Sequence, residues 1–99
     1  MGRQLQADQA ELYRRCDEVL HYIWDPIGVS GAPGARDEYF SYLPHVFQLV
    51  CDGSGSDQIV EYLIHVQISR MGMAPNQPRA EAAAAALLEW REWIASRAS

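Results

Sequence analysis

The chain has 99 residues, 48% of them apolar, which predicts a single folded domain with a core rather than a disordered chain. Thirteen acidic residues against eight arginines and no lysine give a net charge of −5. This balance argues against nucleic acid or an anionic membrane as partner, because both require a cationic surface. We expect a cytoplasmic protein, because the sequence lacks a secretory-signal pattern and its apolar runs fall short of the roughly 20 residues of a membrane span.

The first predicted helix covers residues 8–23. Asp8 and Glu11 have the spacing of a capping box at its start. Apolar residues recur every three or four positions and form one stripe, which predicts an amphipathic helix with a buried face: Leu12, Cys16, Val19, Leu20 and Ile23. Pro26 ends this helix because it lacks an amide proton and disfavours helical geometry at Asp25.

A loop rich in glycine, alanine and proline follows at residues 28–35, and Asp37 is a candidate N-cap for a short turn that runs to Phe40. The second helix is predicted at residues 41–51, with Pro44 tolerated in its first turn. Its apolar face contains Leu43, Val46, Phe47, Val50 and Cys51. The glycines that follow favour a left-handed residue at its end.

The third helix is predicted at residues 57–70, with Ser56 as its cap and Gly72 as its terminator. Its expected buried face consists of Ile59, Val60, Leu63, Ile64, Ile68 and Met71.

The fourth helix is predicted at residues 79–97, since five consecutive alanines have the highest helix propensity. Small alanines allow another helix to approach closely, so we expect this helix to pack centrally. Its core face contains Ala83, Leu87, Trp90 and Ile94. The four helices together predict an all-α fold, a compact bundle in one domain over residues 1–99.

Motifs for metal binding and nucleophilic catalysis are weak in this sequence. His21, His45 and His65 lie on three different predicted helices, without the spacing of a metal site. Cys16 and Cys51 fall within apolar stripes, which is typical of reduced core cysteines rather than of activated nucleophiles. We therefore expect no metal, no cofactor and no catalytic residue.

The most suggestive cluster lies around the central loop and contains Asp25, Asp37, Glu38, Tyr39 and Tyr42. One interpretation is structural, because acids in a first helical turn compensate the helix dipole. The other is partner recognition, with tyrosines as anchors and acids that meet basic groups. Catalysis is disfavoured, because adjacent carboxylates on a helix point about 100° apart.

The motifs of this region resemble those of a family of small uncharacterised bacterial proteins, the YugE-like proteins. The matching positions are Trp24 to Gly28, Asp37, Glu38, Tyr39, Tyr42, Pro44 and Met71-Gly72. The resemblance covers about residues 12–73 and implies a small all-helical fold, with no activity or cofactor to transfer. The fourth helix, the absence of lysine and the loop at residues 31–36 lie outside it.

Size, acidity and the Asp37–Tyr42 cluster favour a non-enzymatic module that binds a protein with a basic surface. Short acidic helical proteins of this kind are similar in style to immunity proteins, which block a cognate toxin. One alternative is an enzyme or small-molecule binder with a pocket lined by His21, Tyr22 or His45. Another is an adaptor that forms a homodimer or a larger homo-oligomer through Trp93 and the alanine face of the fourth helix.

Overall fold

A computed structural model describes the backbone at residues 2–25 and 39–98, and the side chains at residues 7–25 and 39–96. The described residues form helices and turns, and no strand. The predicted all-α class and four-helix bundle are confirmed. The helices are α1 (Gly2–Glu18), which continues directly into a π-helix (Val19–Trp24), α2 (Leu43–Cys51), α3 (Ser56–Ser69) and α4 (Gln77–Ala98).

The alanine-rich helix α4 lies at the centre of the bundle, as its sequence predicts. It packs against α3, the π-helix, α1 and α2. Ala80, Ala83 and Ala84 are completely buried, and their small side chains allow the neighbouring helices to come close. The sequence predicts an oligomer that forms through Trp93 and the alanine face of this helix. These buried alanines are covered by the chain itself, whereas Trp93 is exposed.

The core is formed by one apolar face from each helix. Its largest fully buried side chains are Trp24, Leu20, Ile59, Leu63 and Leu87. Burial of side chains of this size contributes about 1.5–3 kcal/mol each.

Within the described ranges, no helix has both the length and the apolar character that a membrane crossing requires.

Two predicted N-caps are wrong. Helix α1 begins at Gly2, so Asp8 lies inside the helix rather than at its start. The preceding residues include glutamine, leucine and alanine, which favour helix and extend it towards the N-terminus. Helix α3 is capped by Gly55 instead of Ser56, because the Oε1 atom of Gln58 accepts a 3.0 Å hydrogen bond from the Gly55 amide.

The helix ends otherwise follow local chemistry. Pro44 lies in the first turn of α2, as predicted. Gly53 and Gly72 have φ angles of 81° and 64°, a left-handed conformation that favours glycine, and they follow α2 and α3. Helix α4 starts two residues earlier than predicted, where Asn76 Oδ1 accepts a 3.1 Å hydrogen bond from the Arg79 amide.

The burial pattern of α2 and α3 differs from the prediction at two apolar residues. Cys51 is exposed, and Ile68 is 50% exposed. On α3 the buried face includes Val66 and Gln67 instead. Ile68 lies one residue, or about 100°, beyond Gln67 and so turns away from the core. Gln67 is held there by a 2.9 Å hydrogen bond from its Nε2 atom to the carbonyl of Ala74.

Candidate partner-binding surface

The predicted binding residues Asp25 and Tyr39 are buried, with 4% and 3% of their surface exposed. The Tyr39 hydroxyl donates a 2.7 Å hydrogen bond to the Oδ1 atom of Asp25. Both side chains therefore contribute to the interior, and this structure does not offer them as contacts for a partner. A phenol and a carboxyl group can be buried together when they form a hydrogen bond with each other.

The π-helix places Asp25 in this position. It widens the last turn of the first helical segment and is followed by the C-cap residue Asp25, which has the left-handed backbone angles φ 32° and ψ 58°. The Asp25 amide donates to the carbonyl of Leu20 at 3.0 Å. From the start of α4, the Nη1 atom of Arg79 donates to the Asp25 carbonyl at 3.3 Å. At the predicted end of the helix before Pro26, these two hydrogen bonds hold the backbone of Asp25 in place.

The aromatic residues of the predicted cluster pack around Trp24, which is completely buried. The Trp24 ring lies 5.5 Å from the Tyr39 ring and 6.4 Å from the Tyr42 ring, measured between centroids. Tyr42 is partly exposed, so it alone of these aromatic residues reaches the surface. Asp37 and Glu38 lie outside the described residues, and their predicted role stays a prediction.

A different acidic surface is formed between α3 and α4. Here a groove of about 570 Å³ is lined by Ser56, Asp57, Val60, Glu61, Ile64, Gln77 and Glu81. Val60 is buried and Ile64 is half-buried, so they form an apolar floor. The carboxylates of Asp57, Glu61 and Glu81 belong to exposed residues around that floor. We call this surface the α3–α4 groove.

The helices fix the arrangement of charge in the α3–α4 groove. Asp57 and Glu61 are four residues apart on α3, which places them on the same face one turn apart. Glu81 approaches from α4, where its Oε2 atom accepts a 3.0 Å hydrogen bond from Gln77. Among the described residues that line the groove, the charged side chains are all acidic. The groove is therefore electronegative and apolar at its base.

The described residues contain no group of three or more histidine, cysteine, aspartate or glutamate side chains arranged to hold a metal ion. The acidic residues of the α3–α4 groove thus suit a diffuse positive charge better than a coordinated ion. The sequence contained a partial signal for this groove, since Asp57 and Glu61 follow each other at helical spacing. It gave no sign that Glu81 would lie opposite them.

His21 and His45 lie in different environments. His21 is buried, whereas His45 stacks on Tyr62 with ring centroids 4.2 Å apart. Three grooves among the described residues have linings that do not include His21, Tyr22 or His45.

Burial raises the pKa of the Cys16 thiol to about 12, and partial desolvation raises the pKa of the Cys51 thiol as well. Higher thiol pKa values reduce the thiolate fraction at neutral pH, so neither group is an activated nucleophile.

Comparison of the chain with protein-family models, with curated proteins and with solved structures gave no match. The function of this chain is therefore inferred from the geometry of its described residues.

Proposed function

We propose that this chain is a non-enzymatic module that binds a basic segment of a protein partner in the α3–α4 groove. Its most concrete form is an immunity-type protein that neutralises a bacterial toxin. The observation that carries the proposal is the combination of an apolar floor, Val60 and Ile64, with three surrounding carboxylates. The raised pKa values of Cys16 and Cys51 favour binding over catalysis by a cysteine nucleophile.

The chemistry of the groove fits arginine and lysine side chains in particular. Both have an apolar stem that can lie on Val60 and Ile64, and a charged head that can reach the carboxylates. The net charge of −5 adds a long-range attraction that accelerates encounter with a basic partner. Affinity should then fall as salt concentration rises, because exposed charges are screened.

The groove is better suited to this role than the cluster around Asp25. Its carboxylates belong to residues at the surface, whereas Asp25 and Tyr39 are buried. A partner can therefore reach Asp57, Glu61 and Glu81 without opening the core. Tyr42 stays a candidate contact at the other surface, because it is partly exposed.

Charge reversal in the groove tests the proposal with a defined probe. A helical peptide with arginines and leucines on one face should bind the wild-type chain, as measured by calorimetry, and a variant with Asp57→Lys, Glu61→Lys and Glu81→Lys should lose at least about tenfold in affinity. Glu61→Lys alone should also weaken binding, and its charge-matched control is Glu92→Lys, an exposed change on α4 outside the groove lining. Glu92→Lys should bind within about twofold of the wild type at the same salt concentration.

Urea unfolding of the same variants separates binding from folding. Surface changes of this kind usually alter stability by about 0.5 kcal/mol or less. If Glu92→Lys lost as much binding as Glu61→Lys, only net charge would matter, and the groove would be rejected as the site.

The toxin form of the proposal needs a separate experiment. If the product of the neighbouring reading frame arrests growth, co-expression of the wild-type chain should restore growth and the triple variant should fail to do so. A neighbouring product that is harmless, or toxicity that the wild-type chain does not relieve, would count against the immunity-type form. The peptide experiment would still decide the binding function of the groove.

A further inference from the structure

A second groove, on another part of α4, contains two tryptophans and one acid. Trp90 and Trp93 are three residues apart on this helix, and their rings meet edge to face with centroids 5.5 Å apart and an interplanar angle of 88°. Together with Glu89 they line a groove of about 520 Å³. Trp93 is 51% exposed. The two perpendicular indole rings therefore meet at a corner in the lining of the groove.

The chain itself places a cation against this aromatic pair. The guanidinium carbon of Arg15 lies 4.6 Å from the centroid of the Trp90 ring. Arg15 also donates to Glu18 at 2.8 Å and lies 3.6 Å from Glu11. An aromatic face combined with carboxylates therefore already binds a guanidinium group at Trp90, one of the residues that line the groove, which is the geometry of a cation–π interaction.

Trp93 and Glu89 bring a second indole ring and a carboxylate to the same groove. An indole face attracts a weakly hydrated cation through its quadrupole, and a nearby carboxylate adds charge and repels anions. A cavity of this volume lies within the range of small-ligand sites, roughly 300–1,000 Å³. We infer that the corner formed by Trp90, Trp93 and Glu89 binds an organic cation, either a guanidinium or a quaternary ammonium group.

The size of the exposed surface favours this ligand over a second copy of the chain. The accessible half of Trp93 corresponds to roughly 100 Å², since a tryptophan can bury up to about 250 Å². A standard protein interface buries about 800 Å² on each partner. One cationic group fits the corner, whereas a stable dimer would need a much larger apolar surface around it. This inference concerns a different part of α4 and does not depend on the proposed function of the α3–α4 groove.

Indole NMR signals provide the test, because the chain has three tryptophans that report separately. Titration with tetramethylammonium or methylguanidinium chloride should shift the Trp93 signal in a saturable manner, while the buried Trp24 serves as an internal reference. Sodium chloride at equal ionic strength should produce no saturable shift. Trp93→Ala should abolish saturable shifts of the Trp90 signal, and Glu89→Gln should weaken binding about two- to fivefold.

Glu92→Gln is the matched control, because Glu92 is an exposed acid on the same helix outside the groove lining, and it should leave the affinity unchanged. A peptide that carries arginine or trimethyl-lysine distinguishes the source of the cation: tighter binding than the free cation assigns the site to a protein partner, and equal binding assigns it to a small molecule. Equal responses to sodium chloride would overturn the inference. So would a dimer, seen by sedimentation, that Trp93→Ala abolishes.

Discussion

Tyr39 donates a 2.7 Å hydrogen bond to Asp25 across 14 positions of the sequence, and both side chains are buried. The bond joins the end of the π-helix to the turn that precedes α2. Arg79 adds a third element, since it donates to the carbonyl of Asp25 from the start of α4. These bonds fix the relative positions of three segments that are distant in the sequence.

Tyr39→Phe should lower the free energy of unfolding by about 1–3 kcal/mol, because it removes a buried donor to a carboxyl oxygen while keeping the ring that packs on Trp24. Urea unfolding measures the change. Tyr42→Phe is the matched control, since Tyr42 is only partly buried and packs on the same tryptophan, and it should change stability by about 0.5 kcal/mol or less. Equal losses in both variants would contradict the special role of the Tyr39 hydroxyl.

The four helices could be predicted from the sequence, because helical periodicity, alanine content, proline and glycine are local signals. The interior role of Asp25 and Tyr39 could not be predicted in this way. Their contact depends on a chain reversal across 14 positions, and local periodicity gives no information on it. The π-helix also changes the register of the last turn, so the exposure of its final residues departs from regular 3.6-residue spacing.

The same limit explains why neither groove could be predicted fully from the sequence. Asp57 and Glu61 could be placed on one face of α3 from their spacing, but the approach of Glu81 depends on how α3 and α4 pack. Likewise, Trp90 and Trp93 are neighbours by spacing, whereas Arg15 reaches Trp90 only through the packing of α1 on α4. Spacing along one helix therefore predicts which residues of that helix are neighbours, but it does not predict which residues of two helices come into contact.

Arg91 should be important for stability through its contacts with α2. Its Nη1 atom donates to the carbonyls of Val50 and Ser54 at 3.0 Å each, which ties the end of α2 and the following turn to α4. Arg91→Met keeps the apolar stem but leaves these carbonyls without that donor, and we expect a loss of about 1–3 kcal/mol in unfolding free energy. Hydrogen exchange should become faster at residues 52–55. Arg14→Met, at an exposed position of α1, is the control and should have little effect.

The two cysteines should react at very different rates in the folded protein. Cys51 is exposed, so a thiol reagent such as iodoacetamide should modify it under native conditions, whereas the buried Cys16 should react only after unfolding. Because partial desolvation and the neighbouring charge of Asp52 raise the pKa of Cys51, its reaction at mildly alkaline pH should be slower than that of a free cysteine. Mass spectrometry of peptides identifies the labelled site. Rapid native labelling of Cys16 would contradict its burial in the core.

Cys16 also predicts a loss of stability at alkaline pH. Its pKa is about 12 in the folded protein against an ordinary value of 9.0, so between these values the unfolded chain releases a proton that the folded chain retains. The stabilising contribution is complete below pH 9 and declines as pH rises, by up to about 1.4 kcal/mol per pH unit until about pH 12. Cys16→Ala lacks this ionisable group, and its unfolding free energy should fall less steeply over the same range.

The comparison of slopes removes two other effects from this measurement. Cys16→Ala lowers stability at every pH because it deletes a buried sulfur, but that loss is independent of pH and leaves the slope unchanged. Tyrosines ionise over part of the same range, and burial raises the pKa of Tyr62, yet both proteins contain the same tyrosines. The difference between the two curves therefore reports on Cys16 alone. Parallel curves from pH 9 to 12 would mean that the Cys16 thiol ionises equally in the folded and unfolded states.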